Sequence, residues 1–363
     1  MNDSIKRASW LELFYDLVFV ALVAQLTYAI AEYHNTWLDW VHVLIVGLLI
    51  FFAWLGTTVS RNLGEEENNL ERLLVQIQMV FAFSMSLSLT TVFEGGLTQF
   101  LFGYALVRFV QIYLILRLYK LQPEQAPKTK NVIQGMTIAA ILVCIAAIAP
   151  MPYAYILVGM AILLEIFNPM AKGKGNTPRM LNVHHIQERL GLFLLLVIGE
   201  SVLVVAIANT VAEDAIQKPV IVLSGLVMMM AFWWTYFKHL DMCGAGRRPK
   251  NMMVYLYAHA WLFGSVVLTA AGFKNLLKHD TLYLTDLAIL VGGVFVFACM
   301  SFLIRGQLEG SPRTGVMKLL ILTAPVIGYA AYQTKDISYA VLIITALTVL
   351  WAVVDEKRRM KVL

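Results

Sequence analysis

The sequence predicts an all-α polytopic membrane protein of about twelve transmembrane helices in two parallel six-helix repeats. Hydrophobic residues make up 60% of the 363 residues and charged residues only 14%, whereas soluble domains have about 45–50% apolar and about 25% charged residues. Apolar runs of about 20 residues, the length that a helix needs to cross a bilayer, recur along the whole chain. The two halves also have similar loop lengths and loop charges, which predicts the repeats.

Twelve apolar segments are the predicted spans. The first run carries acidic residues and lacks a small-residue cleavage site, so we expect a membrane span there and no signal peptide. The fifth, sixth and eleventh segments are short, which tilt or local bilayer thinning can accommodate. The first six spans run Trp10–Glu32, Leu38–Val59, Leu70–Phe93, Leu97–Tyr119, Val132–Ala149 and Tyr153–Phe167, and the second six run Leu190–Val211, Val220–Phe237, Met252–Phe273, Leu284–Ile304, Met317–Tyr332 and Tyr339–Val354.

Basic residues predict the orientation, because cytoplasmic loops carry an excess of Lys and Arg. With the N-terminus inside, only Lys218, Lys274, Lys278 and Lys335 of the 28 Lys and Arg residues face outward, and Arg108 remains in the membrane. We therefore expect a multi-pass protein of the bacterial inner membrane with both termini cytoplasmic. The net charge of +5 is spread over membrane-proximal loops, so it does not indicate nucleic-acid binding.

Two pairs of segments suggest an internal duplication. "YKLQPEQAPKTKNV" and "RGQLEGSPRTGV" both follow a fourth span, and "FFAWLGTTVSRN" and "MAFWWTYFKHLD" both end a second span. Six spans per copy is an even number, so both copies would share one orientation. The predicted repeats are residues 1–169 and 170–363, joined by a polar linker between Phe167 and Leu190.

Three motifs carry a family resemblance. "SWLELFYDLVFVALVAQL", "HHIQERLGLFLLLVIGES" and "FWWTYF" resemble the bacterial low temperature requirement protein A family over essentially the full length. The resemblance implies a membrane protein with a cold-growth phenotype. It implies no reaction or substrate, so function has to be inferred from the residues.

The first span begins with two acids, Glu12 and Asp16, at the i and i+4 positions of one helix face. Asp16 lies about 9 Å beyond Trp10 along the helix, near the predicted cytoplasmic edge. One interpretation is structural, with both acids meeting basic inner ends or capping a helix. The other is functional, with both acids forming an acidic entrance for a cation or a proton.

Two charges are predicted near the midplane, where an isolated charge costs at least about 2.5–3.5 kcal/mol. Glu200 lies about 15 Å into the seventh predicted span, and Arg108 has a similar depth in the fourth. We expect these two to pair, either as a static link or as a site where an anionic or protonatable ligand competes for the pair. Helical spacing places Arg189 and His185 on the face of Glu200, and Gln111 and Tyr104 on the face of Arg108, while Gly199 would permit close approach of a helix or ligand.

The remaining polar and aromatic groups are expected to be mainly structural. Glu165 would pair with a basic inner loop, and His42 and His259 would be satisfied core histidines. The aromatic run containing Trp233, Trp234 and Tyr236 is typical of an interfacial belt, with a substrate-stacking wall as the alternative.

No metal, nucleotide or haem motif is present in the sequence, so the cofactor, if any, is unknown. The leading hypothesis is a secondary transporter or permease with a midplane polar site, whose partners are membrane lipids and an unknown small molecule or ion. One alternative is a membrane-embedded enzyme or redox protein acting on a lipid or quinone. Another is a structural or regulatory membrane protein whose buried charges specify packing.

Overall fold

The structure is a computed structural model that describes residues 7–33, 36–64, 68–121, 126–171, 181–210, 218–243, 246–309 and 326–360. Within these ranges the chain forms helices and no β-strand. In chain order the helices are α1 (Trp10–Glu32), α2 (Trp37–Leu63), α3 (Asn69–Leu87), α4 (Leu89–Phe93), α5 (Thr98–Leu121), α6 (Ala126–Ile148), α7 (Tyr153–Ala171), α8 (Val183–Thr210), α9 (Lys218–Cys243), α10 (Met252–Lys278), α11 (Leu284–Glu309) and α12 (Ile337–Met360).

Eight of the described helices are long and apolar enough to cross a membrane, namely α1, α2, α3, α5, α8, α9, α10 and α11. The apolar parts of α6, α7 and α12 are shorter, at 10–17 residues. The class, a helical multi-pass membrane protein, therefore agrees with the sequence prediction. Most of the predicted span Met317–Tyr332 lies outside the described residues, although residues 326–333 are helical. The count of twelve spans stays a prediction.

Several helices begin at a polar capping residue, at the point where a loop is followed by an apolar run. Ser9 and Thr36 form capping boxes at the starts of α1 and α2, with Glu12 and Asp39 as the third helical residues. In such a box the hydroxyl accepts from a free backbone N–H of the first turn, and the acid accepts from the cap residue. The first acid of the membrane segment thus has a local role in starting α1.

The third predicted span is not continuous, because α3 ends at Leu87 and α4 begins at Leu89. The Ser86 hydroxyl donates to Phe83 O, and the Ser88 hydroxyl is within reach of Ser84 O and Met85 O. Hydroxyls that bond back to carbonyls of the preceding turn bend helices. The predicted span Leu70–Phe93 therefore corresponds to two successive helices, α3 and α4.

The chain divides into two compact units. Unit 1 comprises Met1–Ala29 and Tyr33–Leu192, and unit 2 comprises Ile30–Glu32 and Phe193–Leu363. The division falls inside α8, after its first ten residues. Two six-helix repeats with a boundary at residue 169 stay a prediction.

Within unit 2, α10 and α11 pack closely at two glycines. A Cβ on Gly272 would lie 2.8 Å from Leu290 N, and a Cβ on Gly293 would lie 2.8 Å from Thr269 N. Small residues allow such close approach between membrane helices, whose association depends on van der Waals packing.

Candidate functional site

Two polar contacts join α1 to the first turns of α8 within unit 1. Arg189 Nη2 donates to Asp16 Oδ1 at 2.7 Å, and His185 Nε2 lies 3.4 Å from Glu12 Oε2. Glu12 and Asp16 are four residues apart, as are His185 and Arg189, so the two contacts lie about one helical turn apart along α1 and α8. All four side chains are buried, which confirms the prediction that Glu12 and Asp16 face the protein interior and have partners.

Helix α2 supplies uncharged hydrogen-bond partners to both contacts. Trp54 Nε1 donates to Asp16 Oδ1 at 2.7 Å, and Arg189 Nη2 lies 3.4 Å from Thr58 Oγ1. The Arg189 guanidinium also lies 5.9 Å from the centre of the Trp54 ring, within the distance of a cation–π contact. Asn62 Nδ2 lies 3.1 Å from His185 Nδ1. We call the six residues Glu12, Asp16, Trp54, Thr58, His185 and Arg189 the acid–arginine cluster.

A second buried ion pair lies on α5 and α7, also in unit 1. Arg108 Nη2 is 2.5 Å from both carboxylate oxygens of Glu165. Arg108 Nη1 donates to Gln111 Oε1 at 2.6 Å and to Phe52 O at 3.1 Å. The Tyr104 hydroxyl is 3.4 Å from Glu165 Oε1. The predicted shared face of Tyr104, Arg108 and Gln111 is confirmed by these contacts.

Neutral polar side chains extend this second pair toward α1, α2 and α3. Gln111 Nε2 donates to Ala53 O at 2.6 Å and to Thr57 Oγ1 at 2.9 Å. The Thr57 hydroxyl in turn is 2.8 Å from both Gln78 Oε1 and the Tyr15 hydroxyl. Since Tyr15 adjoins Asp16, and Thr57 adjoins Thr58, buried polar groups extend from one ion pair to the vicinity of the other.

A single glycine makes room for the second pair. A Cβ placed on Gly56 would collide with Arg108 Nη1 and with the side-chain amide of Gln111. Any larger residue at this position of α2 would therefore displace the guanidinium from Phe52 O. Gly56 is a structural requirement that the sequence alone did not reveal.

The predicted pairing of Arg108 with Glu200 was wrong. Arg108 pairs with Glu165, the acid that was expected to meet a basic inner loop. The pairing was inferred from similar depths along two helices, but depth does not determine which neighbouring helix supplies the carboxylate.

Glu200 itself lies in the part of α8 that belongs to unit 2, and its side chain is partly exposed. A Cβ built on Gly199 would meet no described atom within 4 Å. The expected close approach of a described helix at Gly199 is thus not present. His185 and Arg189, predicted to share the Glu200 face, are fully buried in the acid–arginine cluster.

The histidines and the aromatic run have mostly structural surroundings. In unit 2, His259 Nδ1 lies 2.7 Å from Tyr255 O and Nε2 lies 2.9 Å from the Tyr236 hydroxyl, so a neutral ring satisfies both contacts. In unit 1, His42 Nε2 contacts the Tyr155 hydroxyl. Trp233 and Trp234 are each 43% exposed, whereas Tyr236 is buried. These three aromatic residues therefore do not form one continuous wall.

The Asp16–Arg189 and Arg108–Glu165 pairs differ in how completely their polar atoms are satisfied. Among the described residues, Arg189 Nε, Arg189 Nη1 and Asp16 Oδ2 have no hydrogen-bond partner, whereas Glu12 Oε1 lies 3.3 Å from His185 Nε2. Of the Arg108 guanidinium only Nε lacks one. An unsatisfied buried polar atom costs about 1–3 kcal/mol, and more when the group is charged. The acid–arginine cluster is thus the less satisfied of the two.

The described residues contain no group of His, Cys, Asp and Glu side chains that could hold a metal ion. Sequence reasoning missed Trp54, Thr57, Thr58 and Gln78, which connect the charged residues. Their polarity within otherwise apolar segments was the available signal, but helices tolerate isolated Thr and Gln residues in many positions that have no such role.

Comparison with known proteins gives a family and one curated relative. A family profile described as bacterial low temperature requirement A protein matches residues 7–354. An uncharacterized protein of Rhizobium meliloti, RA0937, is 23% identical over 341 residues, which cover 89% of this chain and 83% of that protein.

Proposed function

This chain belongs to the bacterial low temperature requirement A family, and we propose that it is a secondary transporter or permease of the inner membrane. In this proposal the polar site is the acid–arginine cluster, together with the neighbouring Arg108–Glu165 pair. The substrate is a small molecule or ion. Both termini are cytoplasmic, as the distribution of Lys and Arg favours.

The observation that carries the proposal is the incompletely satisfied Asp16–Arg189 pair inside helices long enough to span a membrane. Ionisable groups are costly within a bilayer, and they commonly mark substrate and ion pathways. A pair that only fixed the helix packing would be expected to satisfy its N–H groups, because each free one reduces the stability that the pair could contribute. Arg108 and Glu165 fit that structural role better, since Arg108 Nη2 contacts both carboxylate oxygens and Nη1 also has partners.

The internal duplication is part of the same proposal. Transporter folds commonly consist of structural repeats, with the polar site near the midplane. We infer that both side chains lie within the membrane, since Asp16 is about 9 Å from the start of α1 and Arg108 about 15 Å from the start of α5, whereas a hydrocarbon core is about 30 Å thick.

Transport can be tested with the purified full-length chain in proteoliposomes adsorbed to a solid-supported membrane. Concentration jumps of small carboxylates, amino acids and alkali cations should evoke a saturable current for at least one class. Asp16→Asn should lose that current, while Glu94→Gln, which alters an exposed carboxylate of unit 1, should retain it.

Absence of a saturable current from folded protein for all of these classes would contradict the proposal and favour a structural or regulatory role. A chromophore in the absorption spectrum of the purified protein would instead favour the membrane-embedded redox protein.

A further inference from the structure

The four titratable groups of the acid–arginine cluster do not balance in charge. Glu12 and Asp16 contribute two carboxylates, and Arg189 contributes one guanidinium. The three side chains are almost fully buried, as is His185. The cluster therefore carries one net negative charge unless His185 or a carboxylate takes up a proton.

The contacts of Asn62 determine which ring nitrogen of His185 carries the proton. Asn62 Oδ1 accepts from Asn182 N at 2.9 Å, and Nδ2 donates to Asn182 O at 2.9 Å. This reciprocal pair fixes the amide orientation, so the group facing His185 Nδ1 at 3.1 Å is an N–H donor. Nδ1 must then be the unprotonated acceptor, and the single ring proton lies on Nε2, facing Glu12. A second proton on Nδ1 would point at the N–H of Asn62.

Within the described part of the chain, the other charged groups around the cluster do not supply the missing positive charge. Arg61 of α2 pairs with Glu71 of α3 at 3.2 Å. On α8, Glu188 accepts from Ala8 N, and His184 is partly buried. The other titratable side chain that faces the cluster from α1 is the Tyr15 phenol, which contacts Thr57.

The donors distinguish the two carboxylates. Glu12 Oε2 accepts from Ser9 N at 2.8 Å and faces the Nε2 proton of His185, which stabilises the ionised form. Both donors of Asp16, Trp54 Nε1 and Arg189 Nη2, converge on Oδ1. Oδ2 receives no hydrogen bond from the described residues. A carboxylic acid with its proton on Oδ2 keeps both contacts to Oδ1 and leaves Arg189 and Glu12 as the balancing charges.

We propose that Asp16 binds a single exchangeable proton at Oδ2, and that this proton is the coupling ion of the transporter. The role as coupling ion rests on the proposed transport function, whereas the binding itself does not. Arg189 Nε, Arg189 Nη1 and Asp16 Oδ2 have no hydrogen-bond partner among the described residues. In this proposal a water molecule donates to Oδ2 and accepts from Arg189 when the proton exchanges.

The binding step can be measured without transport by infrared difference spectroscopy of the full chain in lipid nanodiscs, between alkaline and acid pH. The wild type should show a protonated-carboxyl C=O band that disappears in Asp16→Asn and persists in Glu94→Gln. Trp54→Phe keeps the carboxyl but removes the hydrogen bond to Oδ1, so the band should shift to higher frequency. This second variant tests the assignment even if Asp16→Asn does not fold.

An unchanged band in Asp16→Asn, or loss of the band in Glu12→Gln with Asp16 intact, would overturn the inference. The same spectral change produced by sodium at constant pH would also overturn it, in favour of a metal cation. A proton bound at Asp16 in a protein without any flux would contradict the transport proposal alone. Flux that persists unaltered in Asp16→Asn would contradict the coupling role alone.

Discussion

The Arg108–Glu165 pair allows a quantitative test of how unit 1 is held together. Arg108→Gln removes two short contacts to Glu165 and the contacts to Gln111 Oε1 and Phe52 O. Glu165→Gln keeps the shape of the side chain but leaves the guanidinium uncompensated. Each change should therefore isolate one charge in a buried, low-dielectric site.

The expected loss is about 3–5 kcal/mol of unfolding free energy for each single variant, because a lone buried charge is more costly than an absent pair. The double variant should recover at least about 1 kcal/mol relative to the sum of the singles, within the range of coupling between contacting residues. Recovery should be incomplete, since the contact from Arg108 to Phe52 O is not restored.

Unfolding by sodium dodecyl sulfate in mixed micelles, followed by circular dichroism, would give the four free energies. The control cycle combines Arg108→Gln with Glu200→Gln, which should be additive within about 0.3–0.5 kcal/mol. Additive losses for Arg108 and Glu165, or coupling between Arg108 and Glu200, would refute the assignment of Glu165 as the partner.

Three further predictions use the same unfolding measurement. Gly56→Val should lower the unfolding free energy by at least about 1–3 kcal/mol through overpacking against Arg108. Gly47→Val should cost less, because a Cβ on Gly47 contacts only Leu26, at 3.8 Å. Equal losses in the two variants would contradict this reasoning. Gly293→Val should destabilise unit 2 by a similar amount, because α10 approaches closely at this position. Gly292→Val is the matched control, since a Cβ on Gly292 would have no atom within 4 Å. Trp54→Phe, measured at a pH where Asp16 has released its proton, should cost about 1.5–3 kcal/mol, the value of a hydrogen bond to a charged acceptor. An unchanged stability would show that this bond contributes nothing.

The candidate site was predicted in part from the sequence. Spacing and depth correctly placed Glu12 and Asp16 on one interior face, and Tyr104 and Gln111 beside Arg108. The same reasoning chose Glu200 as the partner of Arg108, because both residues lie near the middle of their spans. Unit 1 instead brings Glu165 of α7 to Arg108, at 2.5 Å.

The sequence by itself determined the class of the protein and where most of the described helices begin. Apolar length and composition follow from the thickness of the bilayer, and caps such as Ser9 depend on residues three positions apart. Only the tertiary structure decided which charges meet, because a sequence gives depth along each helix but neither its rotation nor its neighbours. In the sequence, nothing around Asp16 indicates its partners. In the structure, α2 and α8 bring Trp54 and Arg189 to the same carboxylate oxygen of Asp16.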